Sequence, residues 1–453
     1  MLKFYNTLSK KVENFTSINP PHVGMYTCGP TTYDFVHIGN LRTFIFEDIL
    51  QRVLEISGYE IKRVMNITDI DDKIIKGAKE KGIGISEFSA PFERAFMMDL
   101  AKLNIKYANI FPKATEYVDH MIKYIEELIR KKLSYVEKDG SVYFDISKFP
   151  EYGKLSGLDK RELKSGTRIL SDEYSKDDAQ DFALWKSVQA DEVGYNSPWG
   201  RGRPGWHIEC SVMSQQYLGD TFDIHAGAVD LIFPHHENEI AQSEGKTGKK
   251  FVNFFMEGEH LLVGGQKMAK SAGNFYKLKD LEERNFDPLA FRYLCLTAHY
   301  RERLNFTWAS LQAAQNALNN LREEIRGWNE EIGLSEQPKG STDQFWQRFL
   351  DVANNDLNIP QAVAVVWEMV RSNTPTTSKY QTLLKMDKVL GLGLDKYLGK
   401  PIEVPANVSR LVTERESIRK SGDFKKSDKL RHKIKKLGYD IEDTPEGPRV
   451  KRI

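Results

Sequence analysis

Three stretches of this chain concentrate side chains able to do chemistry. CGPTTYDFVHIGN, residues 28–40, carries Cys28, a turn at Gly29, then Thr31, His37, Gly39 and Asn40. GWHIEC at 205–210 and FPHHENE at 233–239 add Cys210 and two histidines followed by acids. Thiolate sulfur, imidazole nitrogen and carboxylate oxygen form a borderline-soft donor set of the kind that holds Zn2+. His235 and Glu239 stand four residues apart and His236 and Glu239 three apart, so either histidine can share a helix face with the acid. Spacing leaves that choice open, and a buried thiol without metal is the plain alternative for each cysteine. Both cysteines fall at predicted strand or turn ends beside polar residues, which favours ligation. The third stretch, KMAKS at 267–271, places Lys267 and Lys270 between Gly264–Gly265 and Gly273. Such a cationic loop suits a polyphosphate whose charge rises as pyrophosphate leaves; alone it would read as an exposed basic turn.

These groups need elements that bring them together. VGMYTC reads as a short buried strand and residues 41–57 as a helix with Phe44, Ile45, Ile49, Val53 and Leu54 on its apolar side. Gly58 stops that helix, and IKRVMNIT is the next strand. Strand, turn, helix, strand is the rhythm of a parallel sheet with crossovers. Ligands of such sheets sit at the carboxyl ends of the strands, where CGPTTYDFVHIGN and NITDIDDK (66–73) both fall. HIGN lies at a helix start, whose free N–H groups attract phosphate. There His37 can donate to the same anion, and Gly39 removes a side chain where a base or ribose approaches.

Residues 114–194 break the rhythm with an amphipathic helix, YVDHMIKYIEELIRK, and short strand-like pieces around SVYFDI; they read as an insertion. The βα pattern resumes with FDIHAGAVDLIF, and FVNFFMEGEHLLV runs into the glycine pair. Beyond about residue 280 helices dominate, and the Gly- and Pro-rich LGLGLDKYLGKPIEVPANVS reads as a linker.

At 453 residues the chain should fold as two to four domains. No apolar run approaches the ~18 residues that span a bilayer, and MLKFYNTLSKK lacks an apolar leader core, so a cytoplasmic protein without membrane partners is expected. Three distant cysteines exclude a secreted disulfide framework. Residues 410–453 hold 14 Lys and Arg against 8 Asp and Glu, within a chain of net charge +1. In the last predicted helix Lys425, Lys429, His432 and Lys436 recur at i, i+4, i+7 and i+11, opposite Leu430, Ile434 and Leu437. That stripe fits a phosphate-contacting surface or a solvated helix face.

In order and spacing, CGPTTYDFVHIGN, NITDIDDK, SPWGRGRPGWHIECS, FDIHAGAVDLIFPHHENEIAQ and KMAKSAGN resemble the motifs of the cysteinyl-tRNA synthetases, a class I aminoacyl-tRNA synthetase family. The similarity runs from MLKFYNTL to LGYDIEDTPEGPRVKR. It implies an α/β fold with a Rossmann-like parallel-sheet catalytic domain split over residues 1–114 and 195–250, and a connective insertion at 115–194. A KMAKS-loop and stem-contact region would cover 251–310, an α-helical bundle 311–400, and a small basic C-terminal anticodon-binding domain 401–453.

The resemblance also implies the chemistry, a cysteine–tRNA ligase reaction. L-cysteine and ATP, with Mg2+, give cysteinyl-adenylate and pyrophosphate, and cysteine then passes to the terminal adenosine of tRNA(Cys). It points to Cys28, Cys210, His235 and Glu239 as ligands of one zinc per chain. That ion would bind the substrate thiolate and reject serine without an editing domain. By resemblance Gly29, Thr31, His37, Gly39, Asn40 and Lys270 serve ATP, and Lys267 and Lys270 the leaving pyrophosphate. Thr68, Trp206 and Asp230 surround the cysteine, the lysine stripe contacts tRNA, and a monomer is expected.

Three positions depart from the family pattern: Asn40 stands where the HIGH motif ends in histidine, KMAKS lacks the middle hydroxyl of KMSKS, and HAGAVD is poorer in glycine. A related ligase joining cysteine to an amino sugar would share the adenylation site and zinc but needs no basic tail. A non-catalytic RNA-binding descendant would not need His37, Lys267 and Lys270.

Overall fold

Four strands, Val252–Gly258, Phe222–Ala228, His22–Thr27 and Glu60–Met65, pair in that order, all parallel. The computed structural model describes residues 1–158, 168–169, 171–172, 176, 180–268, 273–328, 343–398, 400, 402, 404–444 and 447–452. The strands are apolar on both faces, as sheets covered by crossovers must be: Val23, Met25, Tyr26, Val64, Met65, Ile224, Ala226, Phe254 and Phe255 are all buried. Register places Tyr26 beside His225 and His225 beside Phe255. The carboxyl ends of Phe222–Ala228, His22–Thr27 and Glu60–Met65 therefore open at one level.

The predicted crossover helix forms over Ile38–Ile56, and its predicted apolar positions Phe44, Ile45, Ile49, Val53 and Leu54 are buried. It starts three residues earlier than its apolar pattern suggests, because HIGN itself makes the cap. His37 Nδ1 accepts from the Asn40 N–H at 3.1 Å, and Asn40 Oδ1 accepts from the His37 N–H at 3.2 Å. This reciprocal pair satisfies donors a helix start otherwise leaves open.

Between Glu60–Met65 and Phe222–Ala228 the chain leaves the parallel sheet. The amphipathic stretch forms the helix Val118–Arg130. A second sheet follows in the order Ser134–Val136, Val142–Phe144, Asp181–Ser187, Gly200–Pro204, Tyr195–Ser197, with antiparallel neighbours. Its last long strand runs through Gly205 into the helix Trp206–Leu218. Cys210 thus sits inside a helix and not at a strand or turn end. GWHIEC has too short an apolar repeat to announce a helix, which is set here by packing on both sides: residues 207–214 are all buried.

Residues 1–280, 298–305 and 351–359 form one compact unit; residues 281–297, 306–350 and 360–453 form a second. The second unit is helical, with Trp308–Gly327 and Thr376–Leu390 among its longer helices. Its last part packs Ala406–Lys420 and Phe424–Lys436 with the hairpin Tyr439–Thr444 and Gly447–Arg452 around Val408, Val412, Ile434, Tyr439 and Ile441. The expected α/β class with a helical C-terminal region is therefore present. Among the described residues no helix is long and apolar enough to cross a membrane.

Candidate active site

The carboxyl ends of Phe222–Ala228, His22–Thr27 and Glu60–Met65 line a cavity of about 590 Å3. Cys28, Gly29, Thr31, His37, Asn40, Trp206, Cys210, Asp230 and His235 all face it. Two strand ends meet there very closely. The Gly29 N–H donates to Asn66 Oδ1 at 2.9 Å, and a Cβ at residue 29 would lie 1.7 Å from the Asn66 carbonyl oxygen. Only glycine permits that approach, which sets Cys28 against its neighbours.

One ligand atom each from Cys28, Cys210, His235 and Glu239 lies within 4.8 Å of the others. His235 Nε2 is 3.4 Å from Cys210 Sγ and 3.1 Å from Glu239 Oε1. Glu239 is fully buried, with Oε2 accepting from His225 Nε2 at 2.9 Å, yet Oε1 lacks a hydrogen-bond donor. An orphaned carboxylate oxygen among two sulfurs and an imidazole nitrogen fits a divalent cation, which satisfies such an atom without a proton. His235 Nδ1 lies 3.0 Å from His207 Nδ1, and Trp206 stacks on the His235 ring at 4.2 Å. Those contacts turn Nε2 toward the cluster, the outer-shell arrangement of a ligating histidine.

The electrostatics agree. Burial pushes the Cys28 thiol well above its ordinary value, with Cys210 adding to it, and raises Cys210 too. Burial drives His235 well below its ordinary value and holds His207 at about 4 and His236 at about 3. The imidazoles are thus neutral, the ligating form, and a dication is the charge that would keep the thiols ionised.

A second set, Cys28, His225, His236 and Glu239, shares two of these residues. His236 Nε2 is 3.7 Å from Cys28 Sγ, and its Nδ1 is 3.3 Å from Glu257 Oε1. The open choice in HHENE thus reflects two histidines that both reach the cluster. His225 was not visible as a candidate, because FDIHAGA reads simply as a buried strand.

The family model of the class I (C) tRNA synthetase catalytic domain matches residues 14–316. Over the full chain the protein is 45% identical to the cysteine–tRNA ligase of Chlamydia muridarum, covering all of both chains. It is 43% identical to that of Brachyspira hyodysenteriae, covering 99% of each. The chain belongs to the cysteine–tRNA ligase family. Within class I the fold recurs at low identity. Methionyl-tRNA synthetase of Mycobacterium tuberculosis, in complex with methionyl-adenylate, superposes with a TM-score of 0.64 at 13% identity, over 83% of this chain and 93% of that one. A leucyl enzyme of Agrobacterium radiobacter K84, in a ternary complex with tRNA, gives 0.62 at 11%, over 84% and 85%.

Not every residue that the family resemblance suggested faces the cavity. Thr68 is buried; its hydroxyl donates to Glu209 Oε2 at 2.8 Å and its carbonyl accepts from Thr32. Gly39 stands behind His37: a Cβ there would meet the imidazole at 2.9 Å and Met268 Cε at 2.4 Å. Asp230 lines the rim, 4.0 Å from His260 Nδ1. Lys267 is exposed at the end of the hairpin Leu261–Val263 with Gln266–Lys267, and Lys270 lies outside the described residues.

Asp71, Asp72 and Lys73, the acidic end of NITDIDDK, also line the cavity with Asp172. Their signal in the sequence was the position of NITDIDDK at a strand end.

On the helix Phe424–Lys436, Lys425, Lys429, His432 and Lys436 are exposed, and His432 Nδ1 is 3.0 Å from the Asp428 carbonyl. The packed side is Ser427 and Ile434; Leu437, expected there, is 44% exposed because it follows the last helical turn.

Proposed function

We propose that this ligase activates L-cysteine at the strand-end cavity, with Cys28, Cys210, His235 and Glu239 holding one Zn2+, and transfers it to tRNA(Cys). The observation carrying the reading is the convergence of those four donors, three of which (Cys28, Cys210 and His235) line the cavity beside the His37 helix start while Glu239 closes the set from behind. The alternative donor set is disfavoured because His225 and His236 do not line the cavity, so an ion held by them would not face a substrate. Bound there, zinc would supply a soft Lewis acid for the substrate thiolate, a bond the poorly ionised hydroxyl of serine cannot match. A required bond of that kind discriminates better than a pocket wall, which separates near-isosteres only ~10–200-fold.

The chain's own groups then set the geometry of adenylation. The substrate carboxylate oxygen attacks the α-phosphorus of Mg2+-bound ATP, the bond to the bridging oxygen of the β-phosphate breaks, and pyrophosphate leaves. An ionised carboxylate needs no general base, so placement and charge stabilisation carry the step. His37 Nδ1 already accepts from Asn40, which leaves the neutral ring with its proton on Nε2 as a donor toward phosphate. Asn40 thus has a use that needs no charge. Gly29 and Thr31 would leave room for the nucleotide side, Gly39 would keep space for the His37 ring, Lys267 and Lys270 would draw off the charge of the pyrophosphate, and Asp230 and Trp206 would flank the amino acid, with Thr68 behind.

The domain roles given by resemblance follow: catalysis by 1–114 and 195–250, connection by 115–194, stem contact by 251–310, a bundle at 311–400 and tRNA contact at 401–453 through the lysine stripe. We expect a cytoplasmic monomer. The test is amino-acid-dependent ATP–pyrophosphate exchange with cysteine, serine and methionine, combined with metal analysis and tRNA charging. Cysteine alone should support exchange, with one zinc per chain. Exchange without tRNA charging would favour the amino-sugar ligase, and no exchange the non-catalytic RNA-binding reading.

A further inference from the structure

We propose that Arg42 is a positioning residue for adenylation, fastening the base of the Lys267 hairpin to the helix that begins at His37. Arg42 lies one turn into that helix and is 5% exposed. Its Nη1 donates to the carbonyls of Glu259 and His260 at 2.8 and 2.6 Å. Its Nη2 donates to the carbonyls of His299, at 3.3 Å, and Glu302. Glu259 and His260 immediately precede the strand Leu261–Val263, whose Leu262 is in register with Lys267.

The far side of the KMAKS segment is tied to the same turn. The Ile38 N–H donates to the Tyr276 carbonyl at 2.9 Å, and the His37 and Phe275 rings meet edge to face at 4.9 Å. Both feet of the segment that carries Lys267 are thus attached within about one turn of the nucleotide-side histidine. A buried guanidinium holding four carbonyls from two segments is an expensive arrangement with no contact to the cavity. Its consequence is a fixed spacing between His37 and Lys267, which must act on opposite ends of one triphosphate.

The inference rests on the role assigned above to Lys267, and a double-mutant cycle separates the two. Arg42→Lys, whose ammonium cannot span four carbonyls, should lower the single-turnover adenylation rate up to ~100-fold, the scale for displacing a reacting group by about 1 Å. Zinc content and cysteine affinity should stay as in the native enzyme. In a Lys267→Ala background the same substitution should cost no more than a factor of about 2, the additivity error for independent sites. Arg42→Gln, which keeps an amide donor, serves as the second variant after circular dichroism has checked folding. An unchanged adenylation rate, or an equal loss in both backgrounds, overturns the clamp while leaving the functional reading intact. A Lys267→Ala enzyme as fast as the native one overturns both the lysine's role and the clamp.

Discussion

Single atoms decide most of what this site can do. Glu239 Oε1 and His235 Nε2 are 3.1 Å apart without forming a hydrogen bond, and two sulfurs complete the ring around them. A buried carboxylate oxygen left without a donor among two sulfurs and an imidazole nitrogen is arranged for a third party. Cys210→Ser tests this with almost no change in volume. A hydroxyl is a harder donor that does not ionise near neutral pH, so zinc affinity should fall by more than the ~10–100-fold typical of losing an outer-shell partner. Michaelis constants for cysteine should rise together with that loss. Chelator competition and metal analysis read the first, pyrophosphate exchange the second; full zinc stoichiometry in the variant would reject the ligand set. Asn40 belongs to this scale too. The resemblance marked it as a departure from histidine, whereas its side-chain amide oxygen closes the cap on His37.

At the scale of elements, the site depends on how closely two strand ends approach. Replacing Gly29 with alanine would put a methyl group 1.7 Å from the Asn66 carbonyl. The backbone there cannot yield cheaply, so Gly29→Ala should cost about 1–3 kcal/mol, as overpacking does. It should also reduce zinc occupancy, because Cys28 is the adjacent residue. Thermal denaturation with parallel metal analysis measures both, and native values of each would show that the strand ends are slack. The strands and the crossover helix were legible beforehand because a buried parallel sheet writes itself as short apolar runs and a helix as a 3.6-residue repeat. The helix around Cys210 was not, because burial on all sides erases amphipathic contrast. Likewise the place of His225 at the cluster followed from strand register, beside Tyr26 and Phe255, which no local pattern encodes. The earlier start of the His37 helix was hidden because its cap is a histidine, outside the usual Ser, Thr, Asp and Asn.

For the whole molecule, the cavity and the lysine stripe belong to different units, so adenylation and tRNA binding should be separable by mutation. The cavity and the donor cluster lie entirely within the first unit, whereas the exposed Lys425, Lys429 and Lys436 lie in the second. Exposed lysines on a helix packed by one side contribute little to stability, because a solvated charge has no buried partner to lose. In the proposed function they serve the tRNA polyanion. Replacing all three with alanine in the full-length chain should leave cysteine-dependent pyrophosphate exchange and zinc content unchanged. The apparent affinity for tRNA should weaken, and the salt dependence of binding should flatten by about 2–3 units of log–log slope, since each lost phosphate contact removes roughly 0.7–0.9. Weakening with an unchanged slope would mean that the lysines do not meet phosphates and that the basic tail acts otherwise. Unchanged affinity and slope would return the stripe to a solvated helix face. That result would also weaken the argument against an amino-sugar acceptor, because the basic tail is what separates that reading from tRNA charging.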